Sequence, residues 1–156
     1  MPALGVELGS IAPDFLLPDQ RGGKVQLSAV LESQAVLLVF LPFAFTDVCA
    51  GELMALEARV ADFNQRAVQV LAVSCDSPYS LAEFAGRLHL SFDLLSDFWP
   101  HGQVSSQYGV FLAEKGFATR GSFLIDRQRR IAWSIVHGPA EERDPQAYEV
   151  AIATLA

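Results

Sequence analysis

The stretch Val36-Leu37-Leu38-Val39-Phe40-Leu41-Pro42-Phe43-Ala44-Phe45-Thr46-Asp47-Val48-Cys49-Ala50-Gly51-Glu52 decides how this chain folds. Its first six residues are all apolar. A strand covered on both faces has that pattern, as in a parallel sheet flanked by helices. Pro42 stops the strand, because it has no N–H to offer a ladder. A helix is expected from Thr46 to Gln65, with Leu53, Leu56, Val60 and Phe63 recurring at three- and four-residue steps to form one apolar stripe. Strand, loop and helix thus follow within one short span, and Cys49 falls in the first turn of the helix.

Outward from this span, elements alternate without repeats or linkers. On the N-terminal side, Asp14–Leu17 and Lys24–Leu27 read as a hairpin around Asp19-Gln20-Arg21-Gly22-Gly23. On the other side, Val68–Cys75 is a second β-rich run. Ser77-Pro78 opens a helix, with serine suited to the N-cap and proline to the first helical position. Leu81, Phe84 and Leu88 form its stripe. Asp93–Leu95 is a short strand and Val104–Tyr108 a short helix. Ser122–Ile125 and Ile131–Val136 flank the turn Asp126–Arg130 as an antiparallel hairpin. The last helix starts at Asp144-Pro145 and buries Tyr148, Ala151, Ile152 and Leu155. A βαβ unit followed by a ββα unit describes a thioredoxin-like α/β fold: a central mixed sheet flanked by helices, with an N-terminal β-hairpin.

Composition sets the outer bounds. The 156 residues, 51% hydrophobic and 19% charged, suit one compact domain over residues 1–156. A net charge of -7 argues against nucleic acid or an anionic membrane as the default partner. The opening MPALGVELGS lacks the basic start and apolar run of a signal peptide, and the longest apolar stretch is too short to span a bilayer. A cytoplasmic location is expected. His89, His101 and His137 show no metal-ligand spacing, and no metal or other cofactor is called for.

Two cysteines do not make a disulfide framework in a chain this long. Each is therefore either a small core residue or a reactive one. Cys49 sits at the carboxyl end of the most apolar strand, where ligands collect in open α/β sheets. Free N–H groups and the helix dipole favour an anion there, and a thiolate is one. The Thr46 hydroxyl, three residues earlier, is placed to donate to that thiolate or to a bound oxygen. Types and spacing alone leave a second reading open, in which Thr46 is an N-cap and Cys49 a buried filler. Cys75 ends a run whose period-2 partners, Leu71 and Val73, are apolar, which suits a core cysteine.

Pro42, Thr46 and Cys49 also match the pattern P-x-x-x-(T/S)-x-x-C, and here the chain resembles the peroxiredoxin family. Further matches follow in order: Ala12-Pro13-Asp14-Phe15, Leu95-Ser96-Asp97, Tyr108-Gly109-Val110, and Arg120-Gly121-Ser122-Phe123-Leu124-Ile125-Asp126. The wording of Phe43–Thr46 and of Leu95–Gly102 is most similar to the actinobacterial alkyl hydroperoxide reductase E group. The resemblance implies a thiol-dependent peroxidase in which Cys49 attacks peroxide and becomes a sulfenic acid, with Pro42, Thr46 and Arg120 as partners. It makes Arg120 the guanidinium that points at Cys49. Glu52 matches an acidic residue that either orients an arginine or complements the helix dipole.

Regeneration is where the sequence departs from parts of that family. The position five residues after Cys49 is Met54, and no cysteine lies near the C-terminus. Cys75 is the only internal candidate for a resolving thiol. The default is a one-cysteine mechanism with an external thiol reductant, of the mycothiol/mycoredoxin or thioredoxin type. The resemblance also implies a homodimer or higher homo-oligomer, paired through loops near the site that carry Phe43, Phe45, Phe98, Trp99, Tyr108 and Phe111; the other reading, expected for about half of these rings, is that they are core. Two rivals remain: a C-x-x-C disulfide oxidoreductase, which the Ala50-Gly51-Glu52 sequence after Cys49 does not supply, and a thioredoxin-fold redox sensor or binding module with little turnover.

Overall fold

The computed structural model describes residues 6–155. It begins with the expected hairpin, β1 (Leu16–Pro18) against β2 (Lys24–Gln26). The Asp19 carboxylate holds the turn by accepting the N–H groups of Arg21 and Gly23 at 2.8 and 2.9 Å. Asp14 is not part of the strand. It accepts the Ser28 N–H at 2.9 Å and the Ser28 hydroxyl at 2.8 Å, tethering a short helix that the sequence reading lacked, α1 (Leu27–Val30).

Next come β3 (Ala35–Phe40), α2 (Asp47–Glu57), α3 (Val60–Gln65), β4 (Val68–Ser74) and α4 (Pro78–Leu88). The helix expected over Thr46–Gln65 is therefore two helices. At Arg59 the backbone N–H bonds back only three residues, to the Leu56 carbonyl at 2.9 Å, and the chain turns before Val60. A tightened final turn of this kind ends a helix without glycine or proline. The apolar stripe still runs across the break, because Leu53, Leu56 and Phe63 are buried in one core with Val60 packed against it.

β5 (Asp93–Ser96) and α5 (Gln103–Gln107) follow, then a small hairpin absent from the sequence reading, β6 (Phe111–Leu112) with β7 (Phe117–Ala118). β8 (Arg120–Ile125), β9 (Ile131–His137) and α6 (Gln146–Ala153) complete the order. Leu155 lies just past α6 and is half-buried on the core.

The sheet order is β5-β4-β3-β8-β9, with β3, β4 and β5 parallel and β8 and β9 antiparallel to their neighbours. β3 is buried along its whole length, and its side chains alternate between two cores. Leu37, Val39 and Leu41 join Cys49, Leu53, Phe63, Phe84, Tyr148 and Ile152 on the face covered by α2, α3, α4 and α6. Val36, Leu38 and Phe40 join Phe15, Leu27, Tyr108 and Phe123 on the other face. This alternation is why an unbroken apolar run was needed.

The second core turns on Phe123, whose ring lies 5.8 Å from Phe40 and 5.3 Å from Tyr108 by centroids. Truncating such a buried ring removes transfer energy and leaves a cavity. Phe123→Ala is expected to lower unfolding stability by about 3–5 kcal/mol, read from urea unfolding. A loss below about 1 kcal/mol, in the range of surface changes, would mean that this core does not depend on its central ring.

Candidate active site

The loop between β3 and α2 is built from four constraints. Pro42 is buried where the strand ends. The Ala44 N–H donates to Asp76 Oδ2 at 2.9 Å, and the Ala44 side chain packs in the same core as Cys49. Phe45 adopts a left-handed backbone, φ 65°, which costs a residue with a Cβ about 1–2 kcal/mol. Its ring lies 5.0 Å from Phe84, with the Arg87 guanidinium 5.4 Å from its centroid. Those two contacts on α4 offset the strain.

Thr46 then occupies the N-cap position of α2 with extended backbone, and its carbonyl accepts the Ala50 N–H at 2.9 Å. Its side chain makes no capping bond to the helix. The hydroxyl donates instead to the Phe43 carbonyl at 3.2 Å and remains exposed. Cys49 is the third residue of α2, fully buried, at a helix start whose backbone N–H groups lack partners further back in the helix.

Arg120 reaches this place by strand register. Ser122 pairs with Val39, so the antiparallel ladder carried two residues further sets Arg120 level with Leu41, at the carboxyl end of β3. Arg120 shares a sheet face with Ser122, whose hydroxyl lies 3.1 Å from the Tyr148 hydroxyl of α6. Its side chain is 3% exposed. Nε donates to the Pro139 carbonyl at 2.6 Å, and Nη1 is ion-paired with Glu52 Oε1.

Glu52 sits one helical turn beyond Cys49 and is itself buried. Its second oxygen accepts the Arg143 backbone N–H at 3.0 Å and lies 3.2 Å from Arg143 Nε. Of the two roles open for Glu52, the geometry is that of a bridge between arginines. Arg143 was not visible as a site residue, since Glu141-Glu142-Arg143-Asp144 reads as a solvated loop. It is nonetheless buried, with Nη2 donating to the Phe40 carbonyl and Nε and Nη1 lacking a well-aligned hydrogen-bond acceptor among the described residues. Two guanidinium groups and one carboxylate leave this buried cluster with a formal net positive charge on the second turn of α2, one turn beyond Cys49.

Cys75 lies elsewhere. Leu71 and Val73, its period-2 partners, belong to the core on the far side of the sheet from Cys49. Its thiol is beside Ser105 of α5 and the Ala118 backbone. Burial, reinforced by the nearby Asp97 and Asp76 charges, pushes it up to about 12. Asp97 accepts the Val104 and Ser105 N–H groups at 3.1 and 2.8 Å, anchoring α5. The Tyr108 hydroxyl donates to the Pro13 carbonyl at 2.7 Å. The Leu95-Ser96-Asp97, Tyr108 and Ala12-Pro13 matches therefore hold the fold, while Pro42, Thr46, Cys49, Glu52 and Arg120 gather at one end of β3. Among the described residues, no group of three or more His, Cys, Asp or Glu side chains is placed to hold a metal.

Comparison with known proteins places the chain in a family. The AhpC/TSA family pattern matches residues 8–134. Alkyl hydroperoxide reductase E of Mycobacterium tuberculosis is 41% identical over 150 residues, covering 96% of this chain and 98% of the relative. Peroxiredoxin Bcp of Escherichia coli is 38% identical over 133 residues, covering 81% and 83%. Among solved structures, peroxidoxin BcpB from Mycobacterium tuberculosis superposes with a TM-score of 0.83 at 31% identity, covering 98% of this chain and 97% of that one. The reduced 2-Cys peroxiredoxin of Plasmodium vivax gives 0.86 at 28% identity, covering 96% and 82%. With its mixed sheet and helix-start cysteine, the chain belongs to the AhpC/TSA family: it is a peroxiredoxin, a thiol-dependent peroxidase of thioredoxin-like fold.

Proposed function

We propose that this chain is a single-domain, one-cysteine peroxidase that reduces hydrogen peroxide and organic hydroperoxides with Cys49 and is regenerated by an external thiol. The observation that carries this reading is the buried Arg120–Glu52–Arg143 cluster on α2, one turn beyond Cys49. An unbalanced buried positive charge is costly, so the site favours an anion. The Cys49 thiolate, one turn from Glu52, is the anion that this sequence supplies.

The thiolate sulfur attacks the terminal peroxide oxygen. An S–O bond forms, the O–O bond breaks, and the departing alkoxide or hydroxide takes up a proton. Arg120, the helix-start N–H groups and, once turned from the Phe43 carbonyl, the Thr46 hydroxyl are the donors for the developing charge, and pre-aimed donors are usually the largest catalytic term. Cys49 is left as the sulfenic acid. An external thiol then displaces water to give a mixed disulfide, and a second thiol releases Cys49.

Cys75 is assigned a structural role. It stays protonated on the opposite face of the sheet, and a thiolate is what attack on a sulfenic acid needs. The relative named alkyl hydroperoxide reductase E supports organic hydroperoxides within the substrate class. A mycothiol/mycoredoxin or thioredoxin system is the proposed reductant, in the reducing cytoplasm. None of the helices among the described residues is long and apolar enough to cross a membrane.

Assembly is proposed as a homodimer through the rim of the site. Phe43, Phe45, Phe98 and Trp99 are exposed there, the last to 79%. Tyr108 is buried and Phe111 half-buried against His101, so those two belong to the fold and not to the rim. Sedimentation at micromolar concentration should give twice the monomer mass, and Trp99→Glu should halve it. A wild-type monomer ends this part of the proposal.

Cys49→Ser is expected to abolish peroxide consumption, whereas Cys75→Ser should leave the first oxidation nearly intact. Mass spectrometry after one equivalent of peroxide should show one added oxygen on Cys49 and no internal disulfide. Equal loss in both variants, each still folded, would overturn the assignment.

Arg120→Ala removes a cation and a donor together. The stopped-flow oxidation rate should fall by roughly 10²–10³-fold, the scale seen when one preorganised donor is lost. Lysine should rescue only in part, because a point charge cannot hold Glu52 and Pro139 as a planar fork does. Wild-type values for Arg120→Ala would show Arg120 to be structural only.

A further inference from the structure

Asp76 lies just beyond β4 and is outside the set of site residues assembled above. Its backbone carbonyl accepts the Ser96 hydroxyl at 2.6 Å, joining it to β5. Its Oδ2 accepts the Ser74 hydroxyl at 2.7 Å, and the Ser74 oxygen accepts the Asp76 N–H at 3.3 Å. Ser74 and Ser96 are both almost fully buried, so Asp76 is held from two strands, its carboxylate by Ser74 and its backbone by Ser96. Its remaining bond leaves this frame and crosses to the active-site loop, where Oδ2 accepts the Ala44 N–H at 2.9 Å. Between β3 and α2, Leu41 donates its N–H to the Val73 carbonyl at 2.9 Å, and the Ala44 bond is the polar tie to the sheet further along the loop among the described residues, two residues before Thr46.

The loop needs such a tie. Phe45, the next residue, has the unfavourable left-handed backbone. Its ring is half exposed and rests on Phe84 and Arg87 of α4. Ala44 must stay packed in the core that buries Cys49 completely. Freed at Ala44, the loop would relax at Phe45, and both the Thr46 hydroxyl and the start of α2 would move with it. We infer that Asp76 is a positioning residue, whose bond to the Ala44 N–H fixes the Pro42–Phe45 loop over Cys49, aligning it for peroxide and barring bulkier reagents. The inference rests on Cys49 being the reacting thiol.

Two readouts on the full-length protein separate this role from simple destabilisation. One is single-turnover oxidation of the reduced protein by hydrogen peroxide. The other is alkylation by a bulky maleimide, with each cysteine followed by peptide mass. Asp76→Ala should slow oxidation and speed Cys49 alkylation, each roughly tenfold to a hundredfold, the range for a hydrogen bond to a charged group. A general slackening moves both rates the same way for any thiol, so opposite changes mark the latch. Asp76→Asn keeps an acceptor oxygen and should restore most of both rates. Cys75, next to Asp76, loses one of the lesser charges that keep its thiol protonated, but its burial and Asp97 remain, so it should stay unreactive. Unchanged rates in Asp76→Ala, or Cys75 alkylated in step with Cys49, would overturn the inference. If the wild type itself does not react with peroxide, the peroxidase reading fails, and the alkylation rates still decide the latch.

Discussion

The Glu52 carboxylate is the contact on which the rest of the site depends. Each of its oxygens faces a different buried arginine, one delivered by β8 and the other by the loop before α6. Remove that carboxylate and two desolvated guanidinium groups face each other without compensation, a situation that costs several kcal/mol when a buried pair is broken. The bridge also joins three distant parts of the chain, because α2, β8 and the segment entering α6 meet nowhere else through charge. The same carboxylate that makes the fold possible here leaves one positive charge unmatched, and the helix start beside it carries the thiol.

Much of the architecture was legible in the sequence because it depends on local pattern. The unbroken run Val36–Leu41 specified a strand with two covered faces, and the structure divides it between two cores. Ser77-Pro78 specified a helix start, and the Ser77 hydroxyl accepts the Ser80 N–H there at 3.2 Å. The alternation of Leu71, Val73 and Cys75 indicated a core thiol, and it also tells which face that thiol takes. The helix-start cysteine with Pro42 and Thr46 marked a candidate site through the family pattern that they match, whereas spacing alone left Cys49 open as a buried filler.

What remained hidden is what long-range contacts decide. The break at Arg59 carries no glycine or proline, and Arg59 there reaches across to Glu149 of α6 at 2.9 Å. Asp14 looked like the start of a strand, yet its side chain is taken by Ser28. Arg143 stands among three acidic residues in sequence and reads as a surface residue. Its burial is set by Glu52, 91 residues away, and by the carbonyl that ends β3. Asp76 was passed over for the same reason, since its partner at Ala44 is contributed by another strand's exit loop.

The strand order has a consequence for the chain as it is made. β3 needs two neighbours, and β4 follows it within a few dozen residues, but β8 is complete only at Ile125. During synthesis, the apolar strand VLLVF therefore waits with one edge open until most of the protein has left the ribosome. A β-rich, uncharged segment with an open edge is the kind that pairs with the wrong partner. The centre of the sheet closes late because its contacts are distant in sequence, a property that slows folding. The interval before β8 arrives is the time when this chain is most exposed to aggregation and has most to gain from a chaperone that covers strand edges.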